Sequence, residues 1–255
     1  MAKLVFLGTA SAVSYEGHEN SFLALAGEET SILVDCSIKP VRRLREAGID
    51  FQDLSALIIT HFHPDHVGGL ANLLMDMWIL GRESEFRIYG SSHSITRART
   101  MMDLFDWGSW TGMYPVSFHE LPLEELTLVL ETDEFRIFSS PVEHMIPTSG
   151  LRVEYRGGEF VLAYSSDTNP IEETVQLAVG ADVLIHEAAG SYQHHTSPAE
   201  AGEIAAQAGV QRLYLTHYSL VAGTRPEDLV GEAQKTFPGD VILAEDLMEI
   251  PLQRS

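Results

Sequence analysis

The chain has 255 residues, and its 37 acidic and 16 basic side chains give it a formal net charge of −21. Hydrophobic residues make up 45 % of it, which is typical of a globular protein whose core needs no disulfide or metal to stabilise it. The acidity excludes a broad phosphate-binding surface and attraction to anionic membranes, because both depend on Lys and Arg.

Cys36 is the only cysteine, so the chain can form neither an intrachain disulfide nor a thiolate metal cluster. This count suits the reducing cytoplasm. No apolar run approaches the roughly 18–20 residues of a transmembrane helix. The segment Leu4–Leu7 is better interpreted as a first strand than as the apolar part of a secretory signal. We expect a cytoplasmic protein that forms one domain over residues 1–255.

Short β-rich runs dominate the chain and predict strands. They are, in order, Leu4–Leu7, Phe22–Leu25, Ser31–Asp35, Leu54–Thr60, Phe86–Tyr89, Leu126–Leu130, Phe135–Ser139, Leu151–Tyr155, Phe160–Tyr164, Val183–Ile185 and Leu213–Thr216. Helical patterns lie between some of these runs, at Pro40–Ala47, Gly69–Leu80, Pro170–Val179 and Ser197–Ala208, where Ser197 is the predicted N-cap. Strands and helices are mixed, so the predicted fold class is α/β or α+β.

The strand predicted over Leu54–Thr60 is followed directly by the segment His61-Phe62-His63-Pro64-Asp65-His66. Three imidazoles and a carboxylate so close together are poor material for a core or an ordinary turn. Neutral imidazole offers a nitrogen lone pair that suits Zn²⁺, and a carboxylate supplies an anionic oxygen. In a bend after the strand, His61 and His63 can point to one side while Asp65 and His66 face a second position. This segment predicts a metal site.

Three later apolar runs also end in a polar residue just past the strand, and these residues are His144, Asp167 and His217. Taken alone, each could be a hydrogen-bonded loop residue or a turn residue. Beside the first cluster they complete an inventory for two metals, with Asp167 as a bridging carboxylate. The two predicted ligand sets are His61, His63 and His144 for one metal, and Asp65, His66 and His217 for the other.

The histidine-rich segment, followed in order by His144, Asp167 and His217, resembles the metallo-β-lactamase superfamily of metal-dependent hydrolases. The resemblance implies a four-layer αββα sandwich with a dinuclear site at one edge of its two sheets. Further segments are similar to the ribonuclease Z-like branch, namely Phe6–Val13, Ile32–Cys36, Leu184–Ala188, His195–Ser197 and Leu215–Ser219.

Two departures from that branch argue against tRNA processing. Ribonuclease Z enzymes usually carry a protruding arm that grips tRNA, commonly inserted between the positions of His144 and Asp167. Only 22 residues, numbers 145 to 166, lie in this interval, and most of them belong to a predicted hairpin. The second departure is Pro64, where the branch tends to have Gly. We therefore expect a small-molecule substrate rather than structured nucleic acid.

The resemblance implies hydrolysis of a phosphodiester, with a water activated between two cations. The predicted catalytic residues are Asp65 and His195, and His195 is the candidate general acid for the leaving group. His195 could instead be a capping or surface residue. We expect Asp35 to brace the metal-binding loop, and Glu187 either to orient a ligand or His195 or to have a structural role at a strand end.

The leading functional hypothesis is a phosphodiesterase for small or cyclic phosphodiesters. The alternatives are a lactonase, a thioesterase or a β-lactam hydrolase on the same metals, a tRNA 3′-processing endonuclease, and a degenerate binding protein. Five His and two Asp suit two Zn²⁺, and Mn²⁺ or Fe²⁺ could fill the same site. Residues 101–115 are rich in aromatics and could pack on their own core, wall the pocket or form a dimer interface. A homodimer without a membrane partner is the family expectation.

Overall fold

The computed structural model describes residues 2–190, 193–220 and 224–254. The strands in these ranges are β1 (Lys3–Gly8), β2 (Phe22–Ala26), β3 (Ser31–Val34), β4 (Leu54–Ile59), β5 (Phe86–Ser91), β6 (Val116–Leu121), β7 (Thr127–Glu131), β8 (Phe135–Val142), β9 (Thr148–Tyr155), β10 (Phe160–Tyr164), β11 (Val183–Glu187), β12 (Arg212–Thr216), β13 (Asp240–Leu243) and β14 (Glu249–Pro251). The α-helices are α1 (Pro40–Glu46), α2 (Pro64–Val67), α3 (Leu70–Ile79), α4 (Ser92–Asp103), α5 (Glu172–Ala178), α6 (Pro198–Ala208) and α7 (Pro226–Ala233).

The strands form two seven-stranded sheets of the same design. The first has the order β14-β1-β2-β3-β4-β5-β6, and the second has the order β7-β8-β9-β10-β11-β12-β13. In the order given, the first three pairs of neighbouring strands in each sheet are antiparallel and the last three pairs are parallel. The parallel strands require crossover connections, and these contain the helices that cover the outer faces.

Alternate side chains along one strand show how the layers are built. Leu4 and Phe6 of β1 lie in the core between the two sheets. Val5 and Leu7 point the other way, into a second core with α1 and α3. A third core joins the second sheet to α5, α6 and α7. Because side chains alternate across a strand, this burial on both faces produces four layers in the order αββα.

Carboxyl ends of strands from both sheets meet at one edge of the sandwich. In the first sheet, β3 and β4 are parallel and lead into Asp35 and His61. In the second sheet, β10, β11 and β12 are parallel and lead into the loops after Tyr164, Glu187 and Thr216. Parallel strands that end together bring residues far apart in sequence to one place, which is how this fold builds a site.

Most predicted elements are present with small shifts at their ends. The predicted hairpin is β9–β10, in which Tyr155 pairs with Phe160. Ser197 caps α6, and its Oγ accepts the Glu200 N–H while the Glu200 carboxylate accepts the Ser197 N–H. The helix ends at Gly209, whose φ of 69° is left-handed.

The predictions missed β6, β13, β14, α4 and α7. Helix α4 escaped because its buried positions are few and include polar Ser94 beside Ile95, Ala98 and Met102. The aromatic segment packs on its own core, where Trp78 stacks on Trp110 at 5.2 Å between ring centroids. No helix within the described ranges is long and apolar enough to cross a membrane.

Candidate metal centre

Oδ2 of Asp167 lies among four imidazoles at the carboxyl edge of the sheets. It is 3.3 Å from Nε2 of His217 and 3.5 Å from Nε2 of His66. It is 3.7 Å from Nε2 of His61 and 3.9 Å from Nε2 of His144. One carboxylate oxygen thus faces nitrogens from both predicted ligand sets, as a bridging carboxylate between two cations would.

The first predicted set comes together around His63. Its Nδ1 is 3.1 Å from Nε2 of His61 and 3.2 Å from Nε2 of His144. These three residues and Asp167 each place one ligand atom within 4.8 Å of all the others. The loop after β4 of the first sheet supplies His61 and His63, and the loop after β8 of the second sheet supplies His144, so the set spans the two sheets.

The second predicted set comes together in the same way beside the first. Nε2 of His66 is 3.4 Å from Nε2 of His217. Oδ2 of Asp65 is 3.4 Å from Nε2 of His217 and 3.5 Å from Nε2 of His66. Pro64 at the first position of α2 starts the short helix that carries Asp65 and His66.

Hydrogen bonds determine which nitrogen of His61 carries the proton. The Thr60 hydroxyl donates to Oδ2 of Asp35 at 2.8 Å, so its oxygen is an acceptor for His61. Nδ1 of His61 lies 3.1 Å from that oxygen and therefore donates its proton to it. Nε2 then carries a lone pair and faces the other members of the first set. This is the tautomer that a metal ligand needs.

His66 and His144 are oriented by the same principle. Nδ1 of His66 donates to Oδ2 of Asp35 at 2.8 Å. Nδ1 of His144 donates to the carbonyl oxygen of His194 at 2.9 Å. The Asp35 carboxylate also accepts the Thr60 N–H at 2.8 Å, so it joins the end of β4 to the second ligand set. The structure thus places Asp35 where it braces the loop, as expected.

The charge state of the cluster suits a cation. Burial lowers the pKa of His61 and of His63, and lowers the pKa of His144 to about 4, so these imidazoles keep their lone pairs at neutral pH. Burial alone would raise the pKa of Asp167, but the charges of His217 and His66 hold it well below its usual range. Asp167 is therefore anionic.

His66 behaves differently before a metal binds. Burial lowers its pKa, but the carboxylates of Asp167 and Asp35 outweigh burial and raise the pKa well above its usual value. Metal binding must displace this proton, which makes affinity depend on pH. Within the described ranges, none of the buried site carboxylates is paired with Lys or Arg, and Oδ1 of Asp167 has no hydrogen-bond partner. Divalent cations fit this donor set.

Three non-glycine residues at the same edge have strained backbone conformations. Asp35, Ser166 and His217 have left-handed φ values of 61°, 54° and 49°. Such values are rare for residues other than Gly and cost about 1–3 kcal/mol each, and they persist only where surrounding contacts hold them. These three residues lie at or beside a predicted ligand or brace, but Lys39, Leu126 and other residues away from the cluster have similar φ values.

His195 lies beside both ligand sets. Its ring stacks on that of His217 at 5.7 Å between centroids and meets that of His144 at 5.1 Å. Nδ1 of His195 lies 2.8 Å from Oε1 of Glu187, so Glu187 orients His195, one of its expected roles. The His195 side chain is 20 % exposed, so a substrate can reach it.

Several residues at the site were not singled out in the sequence. Thr60 sets the tautomer of His61, and the His194 carbonyl sets that of His144. Neither has a sequence signal, because a strand-end Thr and a backbone carbonyl occur everywhere. His119, which was assigned no role, stacks on Tyr89 at 4.7 Å on edge strand β6.

Comparison with known proteins identifies a family that this chain matches. Residues 2–228 match the family described as anti-Pycsar protein Apyc1. A protein of Bacillus licheniformis named ribonuclease Z is 30 % identical, with 99 % of this chain and 100 % of that protein covered. The alignment extends over 315 positions, so at least 60 positions of the relative, the difference from 255, have no counterpart here.

Two solved structures share the fold. The metallo-β-lactamase fold protein YhfI from Bacillus subtilis has a TM-score of 0.81 at 21 % identity, with 98 % of each chain covered. The short form of human tRNase Z has a TM-score of 0.79 at 23 % identity, with 99 % of this chain and 100 % of that chain covered. These likenesses confirm the predicted fold. The name ribonuclease Z denotes action on RNA, which conflicts with the expectation of a small-molecule substrate rather than structured nucleic acid.

Proposed function

Because the chain belongs to the family described as anti-Pycsar protein Apyc1 and is a metal-dependent hydrolase related to ribonuclease Z, we propose that it is a two-metal phosphodiesterase for small or cyclic phosphodiesters. One observation carries this proposal. Two groups of ligand atoms lie side by side, and Oδ2 of Asp167 is within 3.9 Å of nitrogens from both. Such pairs of cations serve displacement at phosphorus.

The proposal assigns His61, His63 and His144 to one cation and Asp65, His66 and His217 to the other, with Asp167 between them. When bound, the two cations supply positive charge that stabilises the phosphate oxygens and lowers the pKa of a water. Five imidazoles and two carboxylates favour Zn²⁺, and Mn²⁺ or Fe²⁺ fits the same donors.

We assign His195 the role of general acid toward the leaving oxygen. Its Nδ1 is held by Glu187, which leaves Nε2 for a substrate oxygen. Asp65 is the second proposed catalytic residue in addition to being a ligand. Its side chain is 13 % exposed, against 3 % for Asp167, so it is the carboxylate that a bound substrate reaches.

Size and charge favour a small substrate over folded RNA. The interval between His144 and Asp167 is occupied by the β9–β10 hairpin and its flanking loops, which leaves no residues for an arm there. The relative named ribonuclease Z has at least 60 positions, 315 less 255, that this chain lacks. With a net charge of −21, the chain repels a polyanion at long range, whereas a single phosphodiester can be captured by bound cations.

The reaction class is tested by assaying the zinc-loaded protein in parallel on bis-p-nitrophenyl phosphate, a lactone, a thioester and a β-lactam. The proposal predicts cleavage of the phosphodiester that disappears after chelation and returns with zinc. Turnover of one of the carbon esters without phosphodiester cleavage would overturn the substrate class. Absence of turnover on all of them, with metal bound, would favour a binding protein instead.

A further inference from the structure

His217 differs from His61, His66 and His144 in how its ring is held. The imidazoles of His61, His66 and His144 each donate Nδ1 to an oxygen of the protein. Nδ1 of His217 is buried and has no hydrogen-bond partner within the described ranges. A metal-binding histidine normally depends on such a bond for its tautomer and ring direction. Something else must therefore direct this side chain.

The backbone of His217 is held instead, through the next residue. His217 has a strained φ of 49°. The N–H of Tyr218 donates to the carbonyl of Thr9 at 3.3 Å, and the N–H of Ser11 donates to the carbonyl of Tyr218 at 3.0 Å. Tyr218 is thus bound on both its N–H and its carbonyl to one segment, residues 9–11, which follows β1. Because φ and ψ determine where Cβ points, this attachment directs the His217 ring.

The side chain of Tyr218 adds a second anchor. It is completely buried, and its hydroxyl donates to the carbonyl of Ala244 at 2.7 Å. The hydroxyl of Thr9 donates to Oδ1 of Asp246 at 2.7 Å. The hydroxyl protons of Tyr218 and Thr9 are therefore both engaged in these two hydrogen bonds. Nδ1 of His18 lies 3.1 Å from the Tyr218 oxygen and 3.0 Å from the Thr9 oxygen, so it must be the donor to both.

The far end of this network is fixed to the first helix. Oδ2 of Asp246 accepts a hydrogen bond from Nη2 of Arg43 at 2.9 Å and another from the backbone N–H of Glu19 at 3.0 Å. The side chains of Arg43 and Asp246 are only 11 % and 9 % exposed. A buried, charge-assisted pair is strong and geometrically demanding, so the network is rigid where it meets Tyr218.

We propose that Tyr218 is the positioning residue of His217. Its buried hydroxyl network does for this ligand what a hydrogen bond from Nδ1 to a protein oxygen does for His61, His66 and His144. The inference rests on the two-metal site of the proposed function. An ordinary structural role for Tyr218 would stabilise the whole chain and both metal positions alike. A positioning role acts on the set of Asp65, His66 and His217 and leaves the other set unchanged.

The test is a titration of the metal-free protein with Co²⁺. Binding is monitored by calorimetry and by the visible spectrum of the bound ion. Wild type should bind two equivalents. In Tyr218→Phe, one equivalent should bind about tenfold more weakly while the other keeps its wild-type affinity, because loss of a group that orients a ligand costs about that much. Tyr214→Phe is the matched control, since Tyr214 lies on β12, the strand that leads to His217, but in the core between the sheets.

Wild-type affinity for both equivalents in Tyr218→Phe, or an equal loss at both, would overturn the positioning role. Thr9→Val, which removes the hydroxyl between Tyr218 and Asp246, provides the same comparison if Tyr218→Phe does not fold. Wild-type affinities at both sites, or an equal loss at both, in Thr9→Val would also overturn it. Binding of only one equivalent by wild type would instead refute the two-metal site itself, so the two failures are distinguishable.

Discussion

Nδ1 of His195 lies 2.8 Å from Oε1 of Glu187, a carboxylate that is completely buried. The same carboxylate accepts the N–H groups of Thr168 and Ala189, each at 3.0 Å. Because Thr168 follows Asp167, Glu187 connects the loop of the bridging carboxylate to the loop of His195. The position of the proposed acid relative to the ligand cluster therefore depends in part on this side chain, together with the hydroxyl of Thr196, which donates to the Thr168 carbonyl at 2.7 Å.

Replacing His195 tests its role as the acid. His195→Ala should lower kcat about 10²–10⁴-fold, the usual contribution of a general acid, and leave the zinc content unchanged. Kinetics on bis-p-nitrophenyl phosphate and metal analysis of the same preparation measure both effects. His119→Ala, on edge strand β6, is the control and should behave like wild type. Unchanged turnover in His195→Ala would remove this residue from the mechanism.

Glu187 should determine the alkaline limb of the pH profile. Burial lowers the pKa of His195, but the hydrogen bond and charge of Glu187 outweigh burial and raise it above the usual value. An acid must be protonated, so activity is present below this raised pKa and is lost as pH rises through it. Glu187→Gln removes the charge, and the alkaline limb of kcat should move to lower pH by about one unit. An unmoved limb would contradict the role assigned to Glu187.

Asp35 should matter for metal affinity although it is not a predicted ligand. Asp35→Asn keeps the shape of the side chain but replaces one acceptor with a donor that faces the donors of Thr60 and His66. Zinc affinity, measured by competition with a chelating dye, should fall about 10–100-fold. Asp50→Asn, at an exposed helix cap, should not change it. Equal affinities in the two variants would show that Asp35 does not act on the metals.

Metal removal should destabilise the fold measurably. A ligand present at about a thousand times its dissociation constant stabilises the native state by about 4 kcal/mol, which is about 10 °C in unfolding temperature for a chain of this size. Thermal unfolding with and without a chelator measures the difference. Asp167→Asn should shrink it, because the variant loses the shared carboxylate. An identical unfolding temperature with and without chelator would mean that the cluster holds no metal.

Four of the candidate ligands could be predicted from the sequence because each one comes just after an apolar run. His61, His144, Asp167 and His217 stand at strand ends, and strand ends of an α/β sandwich meet at one edge. The structure groups His61 and His63 apart from Asp65 and His66, as the spacing of the first segment suggested. The fold class followed from the same pattern of buried runs with helices between them.

Other features could not be predicted because they depend on contacts between distant segments. His195 and Glu187 each also had a structural interpretation, and only the structure places their side chains 2.8 Å apart. The network of Tyr218 joins residues near both ends of the chain, and its members are an ordinary Tyr, Thr and Asp in the sequence. Helix α4 was missed since polar side chains occupy most of its surface.

The central claim is that this site cleaves small phosphodiesters rather than folded RNA. It is tested most directly by measuring kcat/KM of the zinc-loaded wild type on a 3′,5′-cyclic nucleotide and on a precursor tRNA at the same ionic strength. The account predicts zinc-dependent opening of the cyclic phosphodiester and no tRNA cleavage above that of the Asp167→Asn variant. Efficient cleavage of the precursor tRNA with no turnover of the cyclic nucleotide would contradict it.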